Sequence, residues 1–315
     1  MKKLAVGIDI GGTNTVFGFV DEQGNCIAKF SVDTATYDNA IVFADVVSEH
    51  IKDIFKTLPD SEIIGIGIGA PNGNYYTGTI EFAPNLKWKG IVPLADLFKK
   101  HFDLPVLLTN DANAAAIGEM VYGNAKNMKD FIFITLGTGV GSGIVVNGEM
   151  VYGHDGFAGE IGHTITYPEG RLCGCGRKGC LEAYCSAKGI KATYLEMLNG
   201  KAHPKGPSDE DITPKYIYDQ ALQGNEAAIK TFEYTGEVLG LTLSNSVAYT
   251  SPEAIFIFGG ISNAGDILFT PLRKSFENNL LNIYKNKIKI LPSGIKENDA
   301  AILGAASMIW NQINN

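Results

Sequence analysis

The residues best equipped for chemistry gather at a few points of the chain, and the densest group lies between Gly159 and Glu182. It reads Gly159-Glu160-Ile161-Gly162-His163, then Cys173-Gly174-Cys175, then Cys180-Leu181-Glu182. One imidazole and three thiolates among glycines suit tetrahedral zinc. Four such ligands leave no open position, so His163, Cys173, Cys175 and Cys180 predict a structural rather than a catalytic metal site. Zinc would pin the loop that carries them. Glu160 and Glu182, on either side of the cluster, would then be pre-organised to accept hydrogen bonds from several hydroxyl groups; without the ion each is an ordinary surface carboxylate.

A second point is Asn110-Asp111, which follows the apolar run 105–109 and opens the alanine-rich stretch 112–120. A carboxylate at the carboxyl end of a strand can take the proton of an alcohol as its oxygen bonds to a transferring phosphoryl group, so Asp111 is the candidate general base. A helix N-cap is the plainer role for the same residue, and the two are compatible.

Two glycine-rich loops complete the set. Residues 4–10 run through Asp9 into Gly11-Gly12-Thr13 and leave as the apolar run 15–20, and residues 131–135 run into Gly137-Thr138-Gly139 and leave as 144–146. Glycine lets backbone N–H groups approach an anion with no side chain in the way. A strand follows each loop, which excludes the strand-to-helix setting of a Rossmann fingerprint or a Walker loop and predicts two phosphate-binding β-hairpins. Ordinary hairpin closure is the alternative for either loop alone. Asp9, read as part of the first loop, makes sense beside phosphate if a divalent cation such as Mg2+ offsets the repulsion. Asn85 and the segment 69–73 read as cleft loops, and Tyr75 and Trp88 are candidates to stack on a sugar face or to fill the core.

These residues need elements to hold them. At 315 residues the chain exceeds what one hydrophobic core usually supports, so two lobes and a cleft are expected. Residues 4–10, 15–20, 26–32 and 63–68 read as strands, and 38–57 as a helix whose stripe of Ile41, Ala44, Val47, Ile51, Ile54 and Phe55 faces a sheet. Strand character fades over 153–180, and helices follow over much of 182–250, with 201–212 an exposed connection between them. Residues 254–258 read as a buried strand that enters Gly259-Gly260, and a last helix over 300–310 carries small residues suited to close packing. The fold class is therefore α/β.

A hydrophobic content of 45% and a charged content of 19% fit an ordered globular chain, and no apolar run approaches the ~20 residues that span a bilayer. A formal charge of −8 without a clustered Lys/Arg face argues against nucleic-acid binding. Five cysteines form no extracellular disulfide framework, Cys26 and Cys185 read as small buried hydrophobes, and Asp9 interrupts any signal-like start, so cytoplasmic residence is expected.

With these residues in place the chain resembles the ROK family of sugar kinases and repressors, in the actin-like ATPase superfamily, and its glucokinases most. The resemblance rests on the loop from Asp9 to Thr13, the pair Asn110-Asp111, the loop from Gly137 to Gly143, the block from Glu160 to His163 and the cluster from Cys173 to Cys180. It implies two ribonuclease-H-like lobes closing on hexose and ATP with magnesium: residues 1–110 joined by the helix 300–315, and residues 111–299 with the zinc-binding loop. It implies Asp111 as the base in transfer of the γ-phosphate to the 6-hydroxyl of a hexose, glucose first and N-acetylhexosamines, mannose or fructose as competitors. Asn85, Asn110, Glu160 and Glu182 fall where the family binds sugar hydroxyls, His163 where it binds both zinc and sugar, and Gly259 and Gly260 where it touches adenosine. A homodimer is implied as well. The chain departs from the family after Pro71, where Asn72 precedes Gly73; Asn tolerates the left-handed conformation, so the loop would persist with one more polar group near the sugar. A sugar-responsive repressor would need a helix-turn-helix, for which the start of the chain leaves little room, and a zinc hydrolase would need an open coordination position.

Overall fold

Alternating apolar runs and glycine pairs produce the same five-stranded sheet twice, as a computed structural model describing residues 1–198 and 211–314 shows. The first half contains β1 (Lys2–Ile10), β2 (Asn14–Val20), β3 (Cys26–Asp33), α1 (Ala40–Phe55) and β4 (Ser61–Ala70), then a small sheet of β5 (Gly73–Asn74), β6 (Thr79–Glu81) and β7 (Ile91–Val92). It ends with α2 (Leu94–Lys99), β8 (Val106–Asn110) and α3 (Asp111–Tyr122). The second half contains β9 (Phe131–Leu136), β10 (Val140–Val146), β11 (Glu149–Met150), α4 (Glu182–Cys185), α5 (Ala187–Met197), α6 (Pro214–Leu222) and α7 (Glu226–Thr250). It closes with β12 (Ala254–Phe258), α8 (Asp266–Asn279), β13 (Lys289–Pro292) and α9 (Glu297–Asn314).

The first large sheet has the order β3-β2-β1-β4-β8 and the second β11-β10-β9-β12-β13. In both, a three-stranded antiparallel meander continues into two parallel strands. The two predicted glycine loops are the β1–β2 and β9–β10 hairpin turns, so they occupy the same place in each sheet. Helices α1 and α2 cover the outer face of the first sheet around Phe43, Val47 and Phe98, and α4 to α8 cover that of the second. Between the sheets lie α9, against β1 and β4, and α3, which touches α9 and strands of both sheets. The alanines of α3 make this possible: Ala115 and Ala116 pack on Phe131 and Phe133 with no bulky side chain to hold the layers apart.

Several expectations change on contact with the structure. Asp9 belongs to strand β1, paired with Val16 and Gly69, and the turn begins only at Gly11. The buried stripe of α1 is Phe43, Ala44, Val47, Ser48 and Ile51, whereas Ile41 at its first turn is 51% exposed. Trp88 is core, its ring against Phe43 and its indole N–H donating to the Tyr37 carbonyl at 2.9 Å, so it offers no face to a sugar. Tyr75 stacks at 4.1 Å on Tyr152 instead. Cys185 is buried as expected and Cys26 only half so. Of the connection expected over 201–212, residues 201–210 lie outside the described ones and Ile212 is buried.

Candidate active site

Asp111 is the first residue of α3, and Asn110 caps that helix, its Oδ1 accepting from the Ala112 backbone N–H at 2.9 Å. The N-cap role considered for Asp111 therefore falls to its neighbour. Asp111 Oδ1 also accepts from the Ala112 N–H, at 2.7 Å, which fixes the carboxylate against the helix start. The side chain meets solvent, yet the protein packed around it holds its carboxyl above the ordinary range, the Ala112 N–H opposing.

Asp9 approaches this point from strand β1. A Cβ on Gly69, the β4 partner of Asp9 in the sheet, would lie 3.6 Å from Asp9 Oδ1 and 3.7 Å from Asp111 Cα. Burial, with the Asp111 charge adding to it, pushes the Asp9 carboxyl up to about 7. Two repelling carboxylates in a desolvated cleft are a donor set that a hard divalent cation neutralises, so these residues fit magnesium.

The first hairpin turn is drawn tight by the Gly11 N–H, which donates to the Asn14 carbonyl at 2.9 Å. A Cβ on Gly12 would stand 2.5 Å from the Asn85 carbonyl oxygen. Only glycine allows that approach, and it brings the exposed Asn85 to the edge of the turn. Asn72 takes the left-handed φ of +51° expected of it, its amide donating to the Glu81 carbonyl at 2.9 Å.

On the other wall the second hairpin turn meets the helix pair α4–α5. The Ala187 N–H donates to the Gly137 carbonyl at 2.8 Å, and Glu182 Oε2 accepts from the Val140 N–H at 3.1 Å. A side chain at Gly139 would collide with that carboxylate, since its Cβ would lie 2.6 Å away. Glu160 precedes a 3-10 turn at Ile161–His163 and is held by Ser142 of β10, whose hydroxyl donates to the Gly159 carbonyl and accepts from the Ile161 N–H at 3.1 Å. Burial raises the Glu160 carboxyl, His163 offsets part of this, and the charges of Asp111 and Glu182 add to it. Asp9, Asp111, Glu160 and Glu182 thus share one electrostatic neighbourhood that runs across the cleft.

The ligand atoms of His163, Cys173, Cys175 and Cys180 all lie within 4.8 Å of one another, with Cys173 Sγ 3.7 Å from His163 Nδ1 and Cys175 Sγ 3.7 Å from Cys180 Sγ. Corners of a tetrahedron about zinc, with bonds of about 2.3 Å, stand about 3.8 Å apart, so the four residues fit the ion. Arg171 was not singled out from sequence and proves to pin this loop to α5. Its guanidinium reaches Glu196 at 2.6 Å and Thr193 Oγ1 at 2.9 Å and lies over the Tyr184 ring.

At the carboxyl ends of β12 and β13 is a cavity of about 400 Å³, walled by Phe258, Gly259, Ser262, Asn263, Ser293 and Lys296 among others. Gly259 also lies against the Leu136 carbonyl, next to the second hairpin turn. Gly260 is exposed and begins the turn beyond it. Crevices at strand carboxyl ends are where open α/β sheets bind ligands.

The sequence profile of the ROK family matches residues 5–312. A glucokinase of Thermotoga maritima is 34% identical over 99% of this chain and 99% of its own length. A xylose repressor of Caldicellulosiruptor bescii is 31% identical over 84% of this chain and 66% of its own. The crystal structure of a ROK family glucokinase from Streptomyces griseus, in complex with glucose and AMPPNP, superposes with a TM-score of 0.80 at 32% identity, covering 97% of this chain and 98% of that one. The chain belongs to the ROK family, and to its ATP-dependent sugar kinases.

Proposed function

We propose that this kinase transfers the γ-phosphate of ATP to the 6-hydroxyl of a hexose, glucose before others, with Asp111 as the general base. One observation carries the assignment: Asp111 stands at the start of the helix between the two sheets, in electrostatic contact with Asp9 at one hairpin and with Glu160 beside the other. In this reading Asn85, Asn110, Glu160, His163 and Glu182 hold the sugar hydroxyls. Asn110 spends its carbonyl oxygen on the helix and keeps its amide N–H groups for the substrate. The turns Gly11-Gly12-Thr13 and Gly137-Thr138-Gly139 present backbone N–H groups to the phosphates, and the cavity at Gly259, with Gly260 at its edge, takes the adenosine.

As the sugar oxygen approaches phosphorus, Asp111 takes its proton, so the hydroxyl attacks without building full alkoxide charge. The elevated affinity of Asp111 for protons makes it a stronger base than a surface carboxylate, and activity should fall as pH drops through its pKa. Magnesium, when bound beside Asp9, neutralises phosphate charge. His163, Cys173, Cys175 and Cys180 would hold zinc as a structural ion, keeping Glu160 and Glu182 at fixed positions. We place the enzyme in the cytoplasm as a homodimer, and sedimentation velocity checks the assembly.

A coupled assay across a panel of hexoses, with ATP and with polyphosphate as donors, tests the function. Glucose with ATP should show the highest kcat/KM. Preference for an N-acetylhexosamine, mannose or fructose would overturn the acceptor, and saturable sugar binding without turnover of any donor would indicate a regulator instead.

A further inference from the structure

Glu119 lies on α3, eight residues beyond Asp111, and is completely buried with no ion pair among the described residues. A buried carboxylate without a cation persists only if hydrogen bonds replace its water. Here they come from one short loop and one turn: Oε2 accepts from the Ser293 hydroxyl at 2.5 Å, both oxygens accept from the Gly294 N–H at 2.9 and 3.2 Å, and Oε1 accepts from the Asn124 N–H at 2.8 Å. Asn124 extends the tie with its own amide, which donates to the Pro292 carbonyl at 3.4 Å.

Residues 293–296 connect β13 to α9, and with Pro292 at the strand's end, Ser293, Ile295 and Lys296 form one wall of the cavity assigned above to adenosine. That wall is therefore anchored to α3 rather than to its own sheet alone. The helix carries the base at one end and, about 12 Å along its axis at 1.5 Å per residue, the anchor of the nucleotide wall. A helix whose backbone packs between two sheets is a stiff spacer, so the distance between the donor and the base is set by one element.

We propose that Glu119 is a positioning residue that joins the nucleotide-binding wall at Ser293 and Gly294 to the helix bearing Asp111. The inference rests on the kinase reading with ATP in that cavity. A carboxylate serving only the fold would affect stability, or both substrates alike. One serving the wall alters the nucleotide terms and spares the sugar terms.

The test uses the full chain and measures ADP and glucose affinity by calorimetry, thermal melting, and kcat and KM for each substrate. Ser293→Ala removes the bond to the carboxylate, together with the acceptor of the Ile295 N–H at 3.2 Å, and should raise KM for ATP and Kd for ADP about threefold to tenfold, with KM for glucose unchanged. Glu119→Gln replaces one acceptor with an N–H donor facing the Gly294 N–H or the Ser293 hydroxyl, and should raise Kd for ADP by about tenfold or more. If Glu119→Gln does not fold, Asn124→Ala decides, since it removes the amide bond to the Pro292 carbonyl from outside the cavity and should likewise raise Kd for ADP with KM for glucose unchanged. Unchanged ADP affinity in Ser293→Ala, or glucose KM rising in step with ATP KM, would overturn the inference while leaving the kinase reading intact. A wild-type protein that binds no ADP would overturn both.

Discussion

Asp9 shows how burial and charge act on a single residue of this site. Its carboxyl goes from 3.8 in the unfolded chain to about 7 in the fold, so the folded state binds that proton more tightly. The resulting stability is fully present below 3.8 and is lost as pH rises through about 7, because the anion is then buried away from water and also lies beside Asp111. Asp9→Asn should melt several degrees above the wild type at pH 8 in metal-free buffer and coincide with it near pH 4; equal melting at pH 8 would contradict the shift. At this scale the sequence was legible wherever partners are close along the chain. The His/Cys cluster is an instance, since His163 and its three cysteines share one loop and their ligand atoms come within 4.8 Å of one another. Ser142 with Gly159, and Glu119 with Ser293, are 17 and 174 residues apart, and nothing in their local sequence announces the bond.

Among the elements, the hairpin turns were legible because paired glycines between β-branched runs leave the backbone few alternatives. Asp9 was counted with the loop although it falls inside the strand read over 4–10, because a polar group at a strand's end looks like a turn until the partner strand extends the ladder. Trp88 and Tyr75 could not be resolved from sequence, since an aromatic beside a turn packs wherever a neighbour, here Phe43 or Tyr152, offers a face. The loop from His163 to Cys180 belongs to no strand ladder: isolated bridges at Ile165 with Cys180 and Leu172 with Lys178, turn hydrogen bonds such as Thr166 N–H to the Gly179 carbonyl, and Arg171 hold it, and the proposed zinc would tie its four clustered side chains together. Cys175→Ser should therefore lower zinc content, lower the melting temperature and raise KM for the sugar, because Glu160 and Glu182 lose their brace. Full zinc occupancy in that variant would refute the ligand set.

For the molecule as a whole, two copies of one sheet plan face each other across α3 and α9. The repetition was visible in the paired glycine loops, while the burial of α3 between the sheets depends on long-range packing that periodicity alone does not reveal. Asp111, the proposed base, stands at the start of that shared helix, beside Asp9 of the first sheet and in electrostatic contact with Glu160 in the second half. The most direct test is to compare turnover with sugar affinity in Asp111→Ala. The account predicts that kcat with ATP and glucose falls by at least ~100-fold while the glucose Kd stays within a few-fold of the wild type. Turnover at the wild-type rate would contradict it.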